Sequence, residues 1–288
     1  MPTPENNIVK NEFGGTWTVE KLDILETYAR SYLQVFKNKP FIKLLYFDGF
    51  AGSGEISHEQ NGFEHTIEGS TKRILDIIEP RTFDLYYFVE KNKQLASSLQ
   101  DMIDINYPDR KAYVVSKDCN TKLLDLAQFL NSKGEKYKVL AFIDPKGMQL
   151  EWNSIERLKG LNIDLWILNP TSGCNRLLKN NGEIFDAWKV RLQKFLGMEE
   201  TEIMNHFYKP SKQHNLFGFT ELEKEKDAIQ KLHNLYAGRI KNIFKYASEA
   251  RVLRDKQGRI LFHFFMATNN NIALRIANSV VNTKTPKL

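Results

Sequence analysis

The chain has 288 residues, 42% hydrophobic and 26% charged, a make-up that excludes wholesale disorder and suits one large α/β domain or one domain carrying an insertion. Lys and Arg number 41 against 35 Asp and Glu, a formal charge of +6, compatible with a polyanionic partner such as nucleic acid and equally with an ordinary basic surface. No apolar run approaches the ~20 residues of a membrane span, and MPTPENNIVK lacks the apolar core of a signal peptide, so a cytoplasmic protein without a membrane partner is expected.

In chain order, residues 1–12 are polar and read as a frayed end. A helix is predicted to follow a Thr18 cap, with Leu22, Leu25, Leu33 and Phe36 at three- and four-residue spacings; Trp17 and Tyr28 on it are either core or cover for a ligand. The run Phe41 to Phe47 reads as a buried strand that stops at Asp48, and Gly49, Gly52 and Gly54 follow at once. Glycine serves where the backbone turns with positive φ or comes close to a ligand, so a strand entering Gly-x-x-Gly-x-Gly is a candidate nucleotide cradle. It lacks the Gly-Lys-Ser/Thr of a P-loop and the Gly-x-Gly-x-x-Gly of a dinucleotide fold. The loop resembles instead the Asp-x-Phe-x-Gly-x-Gly loop of S-adenosylmethionine-dependent methyltransferases, matched by Asp48, Phe50, Gly52 and Gly54. The resemblance implies S-adenosylmethionine as cofactor, held by Asp48, Gly49, Phe50, Gly52 and Gly54.

The polar segment 56–69 is longer than the usual strand-to-helix connection and is either a lid or a surface insertion. Phe83 to Val89 reads as a second buried strand ending in Glu90. Rossmann-like folds hold ribose hydroxyls at this position, because a carboxylate accepts two hydrogen bonds from a vicinal diol. The strand 112–115 leads to Asp118, which is either the N-cap of the next helix or, by the methyltransferase likeness, the partner of the adenine amino group. The two cysteines, Cys119 and Cys174, lack CxxC spacing, and the six histidines are scattered; neither a disulfide framework nor a metal site is expected.

Val139 to Ile143 is a wholly apolar strand of the central, doubly covered type, closed by Asp144-Pro145-Lys146-Gly147. Amino-group methyltransferases carry Asp/Asn-Pro-Pro-aromatic here and hold the target N–H bonds with it. The likeness implies catalytic roles for Asp144 and Pro145, although the second proline and the aromatic are missing. Trp152 is either a stacking face for a base or core. A strand over 163–168 ends in Asn169-Pro170-Thr171, a competing place for the amine clamp; Asp144 is preferred because the strand count sets it beside the glycine-loop strand.

From 175 to 238 the pattern turns helical and reads as an insertion. Within it, NHFYKPSKQHNLFGF interleaves basic and aromatic residues, as a strand-tracking surface or as a partly buried loop. Strands over 243–253 and 260–267 flank a turn at Gly258, and a helix over 272–280 completes the chain. The fold expected is a single Rossmann-like α/β domain over 1–288: a mostly parallel seven-stranded sheet with a reversed last strand, as in class I methyltransferases.

Taken together, Trp17-Thr18 with Lys21-Leu22, Tyr46 to Gly52, Phe142-Ile143-Asp144-Pro145-x-Gly147, Trp152 to Leu158, Ile163-Asp164-Leu165-Trp166 and Asn175 to Leu178 resemble the prokaryotic three-Cys-motif partner protein family. The likeness runs from about Trp17 to about Asn270. It implies a partner carrying a three-cysteine motif, of iron–sulfur, radical type, and specifies neither the reaction nor an oligomeric state.

Overall fold

A computed structural model describes residues 16–60, 63–133, 136–214 and 220–283; the frayed end expected over 1–12 and part of the basic and aromatic segment, with Phe217 and Phe219, lie outside them. In order, α1 (Thr16–Phe36), β1 (Lys43–Asp48), β2 (Glu55–Gln60), β3 (Phe63–Glu68), α2 (Ser70–Leu75), β4 (Leu85–Val89), α3 (Lys93–Asn106), β5 (Ala112–Val115) and α4 (Cys119–Lys133) form the first half. Then come β6 (Tyr137–Ile143), α5 (Trp152–Glu156), β7 (Ile163–Asn169), α6 (Thr171–Leu177), α7 (Asp186–Leu196), α8 (Glu200–Phe207), β8 (Tyr208–His214) and β9 (Thr220–Lys224). The last elements are α9 (Ala228–Ile240), β10 (Tyr246–Ala247), β11 (Arg251–Arg254), β12 (Ile260–Thr268) and α10 (Asn271–Asn282).

The central sheet runs β5-β4-β1-β6-β7-β12-β10, with β11 also on the outer edge of β12. Every pairing from β5 to β7 is parallel, and β12 runs antiparallel to β7. This is the mostly parallel, Rossmann-like sheet with a reversed last strand expected from the sequence, but it has eight strands and not the seven expected, because the segment before β12 supplies two short edge strands, β10 and β11. The chain winds outward from β1 through β4 to β5, then returns to β6 on the other side of β1. That reversal makes the carboxyl ends of β1 and β6 a topological switch point, where neighbouring connections diverge and leave a crevice.

The apolar runs explain the central position of these strands. Leu44 to Asp48 and all of β7 are buried, as strands covered on both faces must be. The sheet divides the core in two. Leu25, Tyr28, Leu33, Ile74, Leu99 and Ala277 bring α1, α2, α3 and α10 onto one face; Leu123, Ile155, Cys174, Leu192, Ile203 and Leu232 bring α4 to α9 onto the other. Aromatic contacts lock α1 in place, with Tyr28 edge-on to Trp166 at 5.2 Å and Tyr32 stacked on Phe83 at 5.9 Å. Such pairs contribute ~0.5–1.5 kcal/mol beyond their buried area, so α1 lies in a fixed register across the sheet.

Four local expectations change. Helix α1 begins by Thr16, and Thr18 is inside it with its hydroxyl buried and unpartnered among the described residues, so Thr18 is not the cap. The polar segment after Gly54 is a two-stranded antiparallel ribbon, β2 with β3, placing His58 opposite His65. The 175–238 insertion is not wholly helical, since β8 and β9 form a second ribbon between α8 and α9. The strand predicted over 243–253 is broken: Ser248 donates its N–H to the Met266 carbonyl at 2.8 Å, and its hydroxyl accepts the Met266 N–H at 2.9 Å, so a side chain replaces the ladder there. No helix among the described residues is long and apolar enough to cross a membrane.

Candidate functional site

The glycine loop leaves the end of β1 by spanning the strands on both sides. Gly49 N–H donates to the Phe142 carbonyl of β6 at 2.9 Å, and Ala51 N–H to the Val89 carbonyl of β4 at 3.0 Å. A Cβ on Gly49 would sit 2.6 Å from Cys119 Sγ and 2.7 Å from Ile143 Cδ1, so only glycine lets the loop pack down this closely. Gly52 has the opposite character. Its φ is +63°, a left-handed value that favours glycine, and a Cβ there would meet nothing within 4 Å. One glycine therefore seats the loop and the other leaves its outer side open.

Asp48 is fully buried and braces the loop from within. Its Oδ1 accepts the Phe50 N–H at 3.0 Å, its Oδ2 accepts the Ser70 hydroxyl at 2.6 Å, and the Tyr46 hydroxyl is at 3.5 Å. Burial pushes its carboxyl up to about 7; Ser70 and the Phe50 amide oppose that rise, the Asp144 charge adds to it and the Lys21 ammonium opposes it. With no exposed surface Asp48 does not face a ligand directly, and the contact expected of it is corrected to support of the loop backbone.

Asp144, at the end of β6, is partly exposed and forms an ion pair with Lys21. Lys21 is buried on α1, and its ammonium lies 5.0 Å over the Trp17 ring, which in turn packs on Phe262 at 4.9 Å. The cation needs this pairing, because a buried charge without a partner is heavily penalised. Pro145 is buried, and its carbonyl accepts the Gly147 N–H at 2.9 Å. Asn120 ties the following turn to α4, donating to the Gln149 carbonyl at 2.9 Å and accepting the Glu151 N–H at 2.8 Å.

Glu90 lies against the open glycine. Its Oε2 accepts the Gly52 N–H at 3.1 Å and its Oε1 the Asn92 N–H at 2.7 Å. Both bonds come from backbone, and each carboxylate oxygen keeps a further lone pair. Asp118 accepts the Asn120 N–H at 2.9 Å, the geometry of a helix cap, and the Lys91 ammonium at 3.1 Å. Partial burial works against its ionisation, but Lys91 and Asn120 outweigh that and hold the carboxyl below the usual range.

Four strand ends, those of β1, β4, β5 and β6, thus bring Gly52, Glu90, Asp118 and Asp144 to one edge of the sheet. Two other expected contacts are corrected. Trp152 is core: it is 4% exposed, its ring is edge-on to Tyr236 at 5.4 Å and under the Arg239 guanidinium at 4.7 Å, and its indole N–H donates to Glu156 at 2.7 Å. With its faces taken, it offers no platform to a base. Asn169 ends β7 as expected, but its side chain is buried and its Nδ2 has no partner among the described residues; it faces the interior. Sequence reasoning passed over Lys21 and Ser70 as site residues. Lys21 was legible only as a polar break at a position the helical spacing assigns to the core.

Among the described residues no group of three or more His, Cys, Asp or Glu is placed to hold a metal ion. No family model and no curated protein matches the chain. Among solved structures it is similar to protein LPL1258 from Legionella pneumophila str. Philadelphia 1, described under the family model DUF519, at 13% identity and a TM-score of 0.51, over 94% of this chain and 93% of that one. It is also similar to spermidine synthase from Thermotoga maritima, at 8% identity and a TM-score of 0.45, over 91% of this chain and 63% of that one. A third likeness is to magnesium protoporphyrin IX methyltransferase (ChlM) from Synechocystis PCC 6803 with bound SAM, at 11% identity and a TM-score of 0.33, over 77% of this chain and 85% of that one. The last two, below 0.5, carry no weight. With the strand order, the first shows the fold alone, a mixed α/β, Rossmann-like one with a mostly parallel central sheet.

Proposed function

We propose that the chain is an S-adenosylmethionine-dependent methyltransferase that modifies an exocyclic amine of a nucleic acid and works beside a three-Cys-motif protein of iron–sulfur, radical type. The observation that carries this reading is the juxtaposition of an open, left-handed Gly52, the Glu90 carboxylate bonded to it, and Asp144 across the switch point. These residues fit a nucleoside cofactor. Gly52 leaves room for close approach; Glu90 keeps lone pairs for ribose hydroxyls; Asp118 stands pinned beside them; Asp48 and Ser70 hold the loop beneath. When bound, S-adenosylmethionine supplies an electrophilic methyl group, and an in-line displacement asks mainly for positioning. Asp144 and the Pro145 backbone would orient the amine, with Lys21 setting how much of the Asp144 carboxylate is available. Support for nucleic acid is the +6 charge; support for the partner is the motif order from Trp17 to Leu178.

The test is transfer of labelled methyl groups to DNA and RNA. Asp144→Ala is expected to abolish transfer while S-adenosylmethionine affinity stays within about twofold; equal loss of both would remove the role assigned to Asp144.

A second reading keeps the fold without catalysis, as a partner that binds and supports the three-Cys-motif protein. It is favoured by the Lys21–Asp144 ion pair, which occupies the clamp carboxylate, and by the withdrawal of Trp152 into the core. Co-purification with the three-cysteine protein, together with no cofactor binding, would select it.

A further inference from the structure

Beside the clamp the chain passes from the end of β7 through Pro170 into α6, and there positive charge collects without counter-ions. Other cations at this edge of the sheet are neutralised: Lys21 by Asp144, Lys91 by Asp118 and Arg259 by Asp255. Arg176 is exposed and has neither an ion pair nor a hydrogen bond among the described residues. Its guanidinium folds back along the helix, with Nη2 3.9 Å from where a Cβ on Gly173 would stand. This is the usual lean of a helical side chain toward the preceding turn, and it carries the charge toward the end of β7, away from the carbonyls at the close of α6. Lys179, just past α6, holds its ammonium 3.7 Å over the Phe185 ring; an aromatic face attracts a cation without neutralising it. Lys224 of β9 donates to the Asn175 and Leu178 carbonyls at 3.4 and 2.7 Å and so brings a third charge to the same turn, again with no carboxylate. The acid of the adjoining loop, Glu183, is bonded to Asn181 at 2.8 Å.

Like charges gathered this closely repel one another unless an anion lies among them. An Arg and a Lys free of carboxylates are the groups that take phosphate, the first as a planar fork and the second as a point charge. Neighbouring strand ends are ~4.8 Å apart and α6 rises ~1.5 Å per residue, so Arg176 lies within roughly 20 Å of Asp144, a span that a few nucleotides bridge. An exocyclic amine is reached only when its base is out of the stack, which favours a single strand. We infer that Arg176 and Lys179 grip the sugar–phosphate backbone of a single-stranded nucleic acid and lead it away from Asp144 along α6. The inference rests on the nucleic-acid substrate proposed above and gives that substrate a path across the protein.

The test is fluorescence anisotropy of labelled oligo(dT) and oligo(U) titrated with the full chain at salt from about 50 to about 200 mM. Wild type is expected to bind, with log K falling linearly with log salt. Arg176→Met with Lys179→Met removes two phosphate contacts; at ~0.7 per contact on a single strand, the slope should become shallower by about 1.4, and affinity at about 50 mM should fall at least tenfold. Lys37→Met with Lys39→Met, beyond the far end of α1, removes the same charge and should leave the slope unchanged. Arg176→Lys with Lys179→Arg keeps both charges and should hold the wild-type slope. Arg176 and Lys179 make no ion pair, and Met preserves the packing on Phe185, so the Tm of the first Met pair should match wild type. Its S-adenosylmethionine titration should match as well, which separates this surface from the cofactor cradle. A slope shifted equally by both Met pairs, or unaltered in a well-folded Arg176→Met with Lys179→Met, would overturn the inference and leave the nucleic-acid reading standing. No binding of either oligonucleotide by wild type at about 50 mM salt would remove both.

Discussion

Replacing Asp48 by Asn tests the electrostatics of the glycine loop through stability alone. In the native chain burial raises this carboxyl from 3.8 to about 7. A raised native pKa contributes stability that is fully present below pH ~3.8 and is lost as pH rises through about 7, because the unfolded chain ionises freely over that interval and the native chain does not. At ~1.4 kcal/mol per unit, the whole shift corresponds to about 4 kcal/mol, of which ~2–3 kcal/mol falls between pH 5 and pH 8. Asn carries no such titration and keeps the local bonds: its carbonyl can accept the Phe50 N–H, and its amide can donate to the Ser70 hydroxyl. Urea unfolding of wild type and Asp48→Asn at the two pH values is therefore expected to show the variant's advantage growing by ~2–3 kcal/mol from pH 5 to pH 8. A difference that stays constant between those values would mean that Asp48 is ionised at both, and the desolvation argument would fail.

Other predictions concern the neighbours. Lys21→Met strands Asp144 without its counter-ion; since Asp144 is partly exposed, the expected loss is ~1–3 kcal/mol rather than the full cost of a buried pair, and a double-mutant cycle with Asp144→Asn in thermal melts should recover most of it. A cycle with no coupling would deny the ion pair. Trp152→Ala should destabilise by ~3–5 kcal/mol while Trp152→Phe costs much less, measured by chemical unfolding; a near-neutral Trp152→Ala would place the ring outside the core. His233 and His263 stack at 4.3 Å, and burial lowers them to about 4 and about 3. Depressed native values contribute stability present above the ordinary value of 6.5 and lost progressively as pH falls toward those lowered values. His263→Phe should therefore flatten the decline of Tm between pH 6 and pH 4, and an unchanged acid limb would contradict the neutral, buried pair.

Much of the fold was legible because the strands are apolar runs bounded by charge. Leu44 to Phe47, Val139 to Ile143 and Ile163 to Leu168 each announce a strand covered on both faces, and the residue that ends each run marks the carboxyl edge of the sheet. What stayed hidden depends on partners distant in sequence. The Lys21–Asp144 pair joins residues 123 apart, and nothing local marks it beyond a lysine at a core position of an amphipathic helix. Trp152 reads the same as core or as platform until Tyr236 and Arg239 are seen to cover it. The two ribbons escaped notice because their polar sequences lack the apolar alternation that identifies a half-buried strand. Asp164 was legible as part of the IDLW strand; its hydrogen bonds from the Tyr28 and Thr268 hydroxyls were not, because only the packing of α1 and the return of β12 bring those residues to it.

The most direct test of the account is calorimetric titration of S-adenosylmethionine and S-adenosylhomocysteine into wild type and Gly52→Arg. The side chain introduced at Gly52 enters open space and leaves the core untouched, so beyond the ~1–2 kcal/mol strain of a left-handed residue the variant should remain folded. Saturable binding in the micromolar range by wild type, lost in a folded Gly52→Arg, is the predicted result. No binding by well-folded wild type, or equal binding by the variant, would contradict the assignment of the glycine loop as the cofactor cradle.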